Sequence, residues 1–580
     1  MTLSDYIKAA KLIDPSKLQK KIRIAFLSSF TIKGLPETIR VMCSESKIDC
    51  ITYMASYNQY SQEILNESSD LYKFRPDVSF LIIDIRKILG EFYFSPYSHS
   101  ITERKDFINK SVEEIFSLIQ NFIQKSQSKL VVTNFGVPIY SPYGIFETKT
   151  DYGLHEMILD FNQKLRNNIK TEALAYIFDF SSFVSKHGEK NVFDYRQYYF
   201  GDIHISLNMI EHFADELMGY IKPIVGINRK CIVVDLDNTL WGGVVGEEGF
   251  EGITLGPNGP GAAFMDFQRR LLSLQQRGII LAINSKNNPE DALKVIKDHP
   301  HMILREKHFA CMKINWNDKV SNMQEIANEI NIGLDSIVFF DDDPINREFV
   351  KMSLPEVLTV DLPKDPSIYG NTLTNLNDFN ILKITDEDKR RGDMYIQQRK
   401  RNDFKKTTIN LDDFLNSLET TIRIKTADKF SIPRISQLTL KTNQFNLTTK
   451  RYQEESISNF VKDKNMLVGC AQVEDKFGDN GITGVFIIDK ANSIEWNVDT
   501  FLLSCRVMGR KVEDAIMSYI INLAKNEGIE KIKANYFPTQ KNKPCESFLF
   551  NLGFKQEDDY WIYNTNNTIK IPSCIDIVRE

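Results

Sequence analysis

Two aspartates, Asp235 and Asp237, follow an apolar run at residues 232–234 in the stretch CIVVDLDNTLWGGVVG. The run reads as a buried parallel strand, so both carboxylates arrive at its carboxyl end. Held that close, they repel one another unless a cation lies between them. Mg²⁺ with a phosphate beside it meets that need, one aspartate acting as nucleophile and the other as general acid and base. A calcium loop also spaces acids by two. It needs glycine at its sixth position and glutamate at its twelfth, however, where this chain has Leu240 and Gly246. Thr239 continues the two-residue step, and Gly242 with Gly243 frees the backbone to turn.

The remaining parts of a phosphotransfer site follow in order. Residues 279–284 (IILAIN) read as a second buried strand ending at Ser285, whose hydroxyl can hydrogen-bond a phosphoryl oxygen. Lys319 opens an amphipathic helix and is a candidate clamp for phosphate. A third strand at 336–340 delivers Asp341, Asp342 and Asp343, three adjacent acids that a bound metal explains better than solvation does. This series resembles the haloacid dehalogenase (HAD) superfamily of phosphatases. The resemblance implies that Asp235 is phosphorylated and that Asp237 protonates the leaving group and then activates water. It further implies that Ser285 and Lys319 hold the phosphate, with Thr239 beside them as a further phosphate-binding candidate. Mg²⁺ would be held by Asp235, the Asp237 carbonyl and Asp341, with Asp342 reaching it through water.

These residues need strands that end at one edge of a sheet, where open α/β folds place their ligands. The intervals from Asp237 to Ser285 and from Ser285 to Lys319 are each shorter than the ~50 residues that a separately folding domain requires. The phosphatase site is therefore expected to lack a cap and to suit a phosphate carried on something large. The whole chain, at 580 residues, has room for three or four domains. A net charge of −5 without a basic block argues against nucleic acid as partner. No apolar run is long enough to cross a bilayer, and the N-terminus lacks a signal-peptide profile. Eight cysteines without a CxxC pair indicate neither zinc nor a disulfide framework, which points to a reducing cytoplasm.

The expected organisation is α/β multidomain: residues 1–225, 226–365 around the aspartates, a linker and charged helix at 366–415 (linker composition over 362–380, charged helix over 386–406), and an α+β domain at 416–580. Within the first part, buried runs at 22–27, 78–85, 130–134 and 175–180 alternate with helical stretches at 112–124 and 155–168, a doubly wound pattern. It resembles the SGNH-hydrolase-like domain found ahead of some HAD domains. Ser28 or Ser29 and Asn134 fall at strand ends as that resemblance requires. Asp202 and His204 are only two apart where the family pattern is three, so a degenerate, non-hydrolytic domain is expected.

In the last part, residues 435–451 are dense in Thr, Asn and Gln and read as a substrate-lining loop, with Asn443, Gln444 and Asn446 as candidates. A strand ending near Cys505 runs into Arg506, Gly509 and Arg510 and then a helix. That arrangement is an anion cradle of backbone N–H groups and helix dipole. The tail resembles the GNAT acyltransferase fold, where the matching turn holds a pyrophosphate. Lys511 departs from its glycine-rich pattern and fits better the single phosphate of a carrier's phosphopantetheine arm.

Across residues 20 to 560, WGGVVGEEG, LAINSKNN, INWNDK, FFDDDP, LKTNQFNLTTKR and LLSCRVMGRKVE resemble the FkbH-like family. That resemblance implies an enzyme that takes the glyceryl group of 1,3-bisphosphoglycerate, dephosphorylates it with Mg²⁺, and loads it onto an acyl carrier protein. Cys505, beside Arg506 and the helix N-terminus, is the candidate thiol. The alternative is a phosphatase acting on a sugar or glyceryl unit in polysaccharide assembly, with the tail as a docking module.

Overall fold

A computed structural model of the chain describes residues 1–580 except 385–393, 396, 399, 402, 403, 405–409, 568 and 580. The described residues form two compact units, Met1–Val225 and Gly226–Glu580. Among them, no helix is long and apolar enough to cross a membrane.

The first unit is built on five parallel strands: β1 (Lys20–Ser28), β2 (Ile48–Met54), β3 (Val78–Ile82), β4 (Lys129–Thr133) and β5 (Ala175–Phe178), in the order β2-β1-β3-β4-β5. Every residue of β3 is buried, which is why its sequence is a continuous apolar run. β2 lies at the sheet edge with only Ile48 and Cys50 buried, and so carries no such signal. The helices Ile101–Lys125 and Leu154–Ile169 pack Ile108, Ile115, Phe122 and Phe161 onto one face.

The second unit holds two sheets. The first is all parallel: β6 (Cys231–Val234), β7 (Ile280–Ser285), β8 (Phe309–Ile314), β9 (Ile337–Phe340) and β10 (Leu358–Thr359), ordered β10-β9-β6-β7-β8. β6 is thus central, and the ends of β7 and β9 flank it. The helices Val245–Gly252 and Gly259–Gln276 fill the interval between Asp237 and Ser285. The helix Pro289–Asp298 and β8 fill the next, which leaves no room for a cap, as expected.

Residues 362–380, expected as a linker, instead belong to this domain. Leu362, Tyr369, Leu373 and Phe379 are buried in its core, and the Tyr369 hydroxyl donates to the Asn238 carbonyl at 3.2 Å. The turn-forming residues there shape short helices, Pro366–Ile368, Tyr369–Thr374 and Asn377–Phe379, and do not make a tether. The charged helix expected over 386–406 lies mostly outside the described residues. Met394, Tyr395 and Arg401 are described and buried, so at those positions the chain faces protein and not water.

The second sheet is mostly antiparallel: β11 (Thr420–Thr426), β12 (Phe445–Asn446), β13 (Met466–Asp475), β14 (Gly478–Asp489), β15 (Glu495–Leu503), β16 (Lys531–Ala534), β17 (Lys555–Glu557), β18 (Tyr560–Asn564) and β19 (Ile575–Arg579). The helix Val512–Asn526 follows β15 and joins it to β16, its parallel neighbour. β15 and β16 pair only as far as Val498 and Ala534. Beyond that point β12 lies on β15, with Phe445 opposite Leu503 and Asn446 opposite Leu502. Leu447 donates to the Phe501 carbonyl at 3.0 Å and accepts from Phe537 N–H at 2.9 Å. The chain's own residues 445–447 therefore fill the gap where the two strands separate.

Candidate functional site

Asp235 follows β6 directly, and its N–H donates to the Phe340 carbonyl at 2.9 Å, so the ends of β6 and β9 are stitched together. Asp341 follows β9 and Ser285 ends β7, which brings all three to the carboxyl edge of the sheet. Lys319 comes from the first residue of the helix Lys319–Ile330, whose start is held by the Asp318 carboxylate on Ser321 N–H. The lysine is 1% exposed. Its ammonium lies 2.6 Å from Asp235 Oδ1, 3.0 Å from Asp341 Oδ2 and 2.7 Å from the Asn284 carbonyl. Burial alone would depress the lysine, but Asp235 and Asp341 outweigh it and hold its pKa above the usual value.

Carboxylate oxygens of Asp235, Asp341 and Asp342 lie within 4.8 Å of one another. Asp341 Oδ2 is buried, with the Lys319 ammonium 3.0 Å away. Burial first, then repulsion from Asp235, raises the Asp341 carboxyl, and burial with Asp235 and Asp341 pushes Asp342 up to about 7. Three clustered carboxylates, with Asp341 and Asp342 raised, fit a divalent cation. Thr239 orients the set by accepting the Asp342 N–H on its hydroxyl at 3.2 Å.

Asp237 points into a different set of partners. Its Oδ1 accepts from Trp241 Nε1 at 2.9 Å and Val245 N–H at 3.2 Å, and its Oδ2 from Asn287 Nδ2 at 2.9 Å. Burial raises its pKa against those hydrogen bonds, as suits a general acid. The turn that folds Trp241 back needs Asn238 at φ +52° and Gly243 at φ +87°; a Cβ on Gly243 would meet the Glu248 carboxylate at 2.5 Å. Asn287 and Trp241 are functional candidates that spacing alone did not single out. Asn287→Ala is expected to slow phosphate release about tenfold, matching roughly 1.4 kcal/mol for the lost hydrogen bond. Melting should be unchanged. A fall in melting parallel to the rate would remove Asn287 from the site.

The residues expected in the acyl-transfer part separate into two groups. Cys505, Arg506, Asn443 and Gln444 line one cavity of about 430 Å³. Arg506 is 6% exposed, and its Nε and Nη2 have no partner. The expected cradle over Arg506, Gly509 and Arg510 does not form as one site. Arg510 turns into the buried Asp475 carboxylate at 2.6 Å, which Arg401 also holds at 2.7 and 2.9 Å. The helix N-terminus is met by the chain's own Glu513. Its carboxyl is pushed up to about 7 by burial, and the backbone N–H groups of Glu513 and Gly509 oppose that shift. Cys505 lies in the short Cys505–Val507 turn, apart from that helix. Asn446, expected to line a substrate, is buried in β12, with its carbonyl accepting from Asn542 Nδ2 at 3.0 Å. Residues 435–441 of the expected loop are helical.

In the first unit the serines are engaged elsewhere. Ser29 Oγ accepts from Asp84 N–H at 2.9 Å, and Ser28 Oγ from Phe30 N–H at 3.2 Å. Asn134 spans Asp179 and Ser181 N–H. His204 is clamped between Asp202 at 2.7 Å and Asp84 at 3.1 Å and stacked between Phe30 and Tyr198.

Residues 23–222 match the model of the FkbH N-terminal domain. A crystal structure of the N-terminal part of the protein BF1531 from Bacteroides fragilis, containing its phosphatase domain complexed with Mg, is 29% identical. It aligns with 66% of this chain and all of its own, with a TM-score of 0.61. No curated protein matches it. The IAA acetyltransferase of Bacillus cereus (14% identity, TM-score 0.18, 24% of this chain and 79% of its own) also aligns, as does the ribosomal-protein-S18-alanine N-acetyltransferase of Escherichia coli (11%, 0.20, 24% and 90%). Superpositions at these scores say nothing of chemistry. In this chain Asp235, Ser285, Lys319 and Asp341, the residues expected from the HAD resemblance, meet at one sheet edge.

Proposed function

We propose that this FkbH-like chain removes phosphate from a 3-phosphoglyceryl unit at Asp235 and delivers the glyceryl group to the phosphopantetheine thiol of an acyl carrier protein. The observation that carries the phosphatase half is the triangle of Asp235, Lys319 and Asp341 at the end of β6. Asp235, Asp341 and Asp342, with the Asp237 carbonyl, would hold Mg²⁺. The ion would neutralise phosphoryl charge there, and the Bacteroides relative's complex with Mg supports that assignment. Asp235 attacks phosphorus, and Asp237 protonates the departing glyceryl oxygen and then activates water. Ser285 and Lys319 hold phosphoryl oxygens.

For the acyl half, Cys505 and the partnerless Arg506 nitrogens share a cavity suited to an anionic acyl donor. The Cys505 thiolate attacks the acyl carbon of 1,3-bisphosphoglycerate, the C–O bond breaks, and phosphate leaves. Substrate and carrier follow from the family resemblance. A second reading, a phosphatase with a docking tail acting in polysaccharide assembly, is favoured by the filled β15–β16 gap and by Glu513 at the helix start. Incubation with 1,3-bisphosphoglycerate and carrier protein decides between them: carrier acylation supports the first, and free phosphate without acylation the second.

Metal binding has its own readout. Mg²⁺ is expected to raise the melting temperature more at pH 8 than at pH 5.5, because Asp342, raised to about 7, must give up its proton to accept the ion. Asp341→Asn should abolish the shift. An equal shift at both pH values would place the ion elsewhere.

A further inference from the structure

The first unit carries an aromatic surface that the proposed chemistry does not use. Phe94, Ile139, Ile145, Phe146, Tyr199 and Phe200 are each 57–95% exposed. They lie on the short helix Glu91–Phe94, the stretch at 134–153 and the helix Tyr195–Gly201, which come after β3, β4 and β5. Arg86, just past the end of β3, lies over the rings of Tyr93, Tyr195 and Tyr198 at 4.9–5.7 Å. The Glu189 carboxylate accepts from Ile139 N–H at 2.7 Å and from the Tyr195 hydroxyl at 3.0 Å, and the Tyr140 ring lies 6.4 Å from that of Phe94. The three segments are thus one surface, at the carboxyl edge of the five-stranded sheet.

Polar contacts hold this surface in place from beneath. Buried Glu147 accepts from the Tyr97 and Ser141 hydroxyls, each at 2.5 Å, and from His155 N–H at 3.0 Å. The rings of Tyr97 and Tyr143 stack at 3.7 Å. Ile145 and Phe146 therefore stand in solvent on a fixed base, and a partner meets them at little ordering cost. At roughly 150–250 Å² for each large side chain, the six residues expose about 900 Å². The largest apolar patch on an ordinary monomer is about 300–600 Å², and one side of a standard interface is about 800 Å². Charge narrows the choice of partner. Lys149, Lys190 and Arg196, on and beside these segments, are matched by Asp151, Glu189 and Asp194. No net field is left to draw an acidic protein, a nucleic acid or an anionic membrane. Balanced charge and stacking rings complement themselves, which is what a two-fold interface requires.

We propose that two copies of this chain associate through this surface, and that the first unit is the assembly element. The polar groups at the same sheet edge are closed on one another. The Lys87 ammonium donates to the Ser29 carbonyl at 2.5 Å and to Asp202 at 2.7 Å, and Asp202 also holds His204. What remains open there is the apolar rim, and a second copy covers it. This inference does not depend on the acyl-transfer reading, because the phosphatase and Cys505 residues all belong to the second unit.

The test is sedimentation equilibrium of the full chain at micromolar concentration, which should give twice the 67.0 kDa of one chain. Ile145→Asp and Phe200→Asp, on separate segments, should each weaken the dimer at least about thirtyfold, the scale of a hot-spot residue. A two-fold interface carries each substitution twice, which adds to the loss. Both side chains are exposed and lie outside the phosphatase site, so far-UV circular dichroism and phosphate release per chain should match wild type. Phe430→Asp, at an equally exposed phenylalanine of the second unit, should leave the dimer intact. Wild-type chain that sediments as a monomer would overturn the proposal, even if it bound a carrier protein through Ile145. A dimer indifferent to both substitutions, or one that Phe430→Asp dissociates as readily, would overturn it as well.

Discussion

Lys319→Ala is expected to destabilise the phosphatase domain by about 3–5 kcal/mol, the usual consequence of leaving buried charges without their partner. The lysine is the only cation within ion-pair distance of Asp235 and Asp341 among the described residues, and it is almost wholly buried. Without it, three carboxylates within 4.8 Å face one another across a low-dielectric pocket. The loss should depend on pH. Asp341 and Asp342 have folded pKa values raised above those of the unfolded chain, Asp342 to about 7. Groups of that kind contribute stability in full below the ordinary carboxylate range, and it is lost as pH rises through the folded value. The variant should therefore melt close to wild type at pH 5.5, where Asp342 holds its proton, and far below it at pH 8. Mg²⁺ should restore part of the difference at pH 8. An equal deficit at both pH values would mean that Lys319 stabilises by packing alone.

The phosphatase site was legible because its chemistry sits at the ends of strands buried on both faces. Such strands write themselves as unbroken apolar runs, and the acids that follow stand out. What escaped were contacts made across loops. Asn287 and Trp241 reach Asp237 only because the turn through Asn238 and Gly243 folds back, which no linear spacing reveals. Residues 362–380 misled for a different reason. Their Pro, Asn, Asp and Thr form short helices, and the few apolar side chains among them, Tyr369, Leu373 and Phe379, are enough to anchor the segment in the core.

The anion cradle failed on long-range partners. Arg510 answers to Asp475, thirty-five residues earlier, and Glu513 supplies the negative charge that the helix start would otherwise draw from a ligand. Arg506 keeps two donors without a partner, and it lines the same cavity as Cys505.

Asp235→Asn is expected to lower phosphate release by about four orders of magnitude or more, the scale seen when a covalent nucleophile is removed. The fold should survive. Asparagine keeps the volume, its backbone N–H still reaches the Phe340 carbonyl, and an amide oxygen can still accept from Lys319. Removing that charge also relieves Asp342, whose raised pKa owes more to Asp235 than to any other charge, so the stabilisation by Mg²⁺ should become less dependent on pH. Loss of rate with retained melting distinguishes a nucleophile from a structural acid. Asp237→Asn provides the complement, because it leaves the attacking carboxylate in place while removing the group that activates water. Acid-quenched Asp237→Asn chain should therefore carry phosphate on the peptide containing Asp235, and a phosphate found on any other residue would refute the assignment.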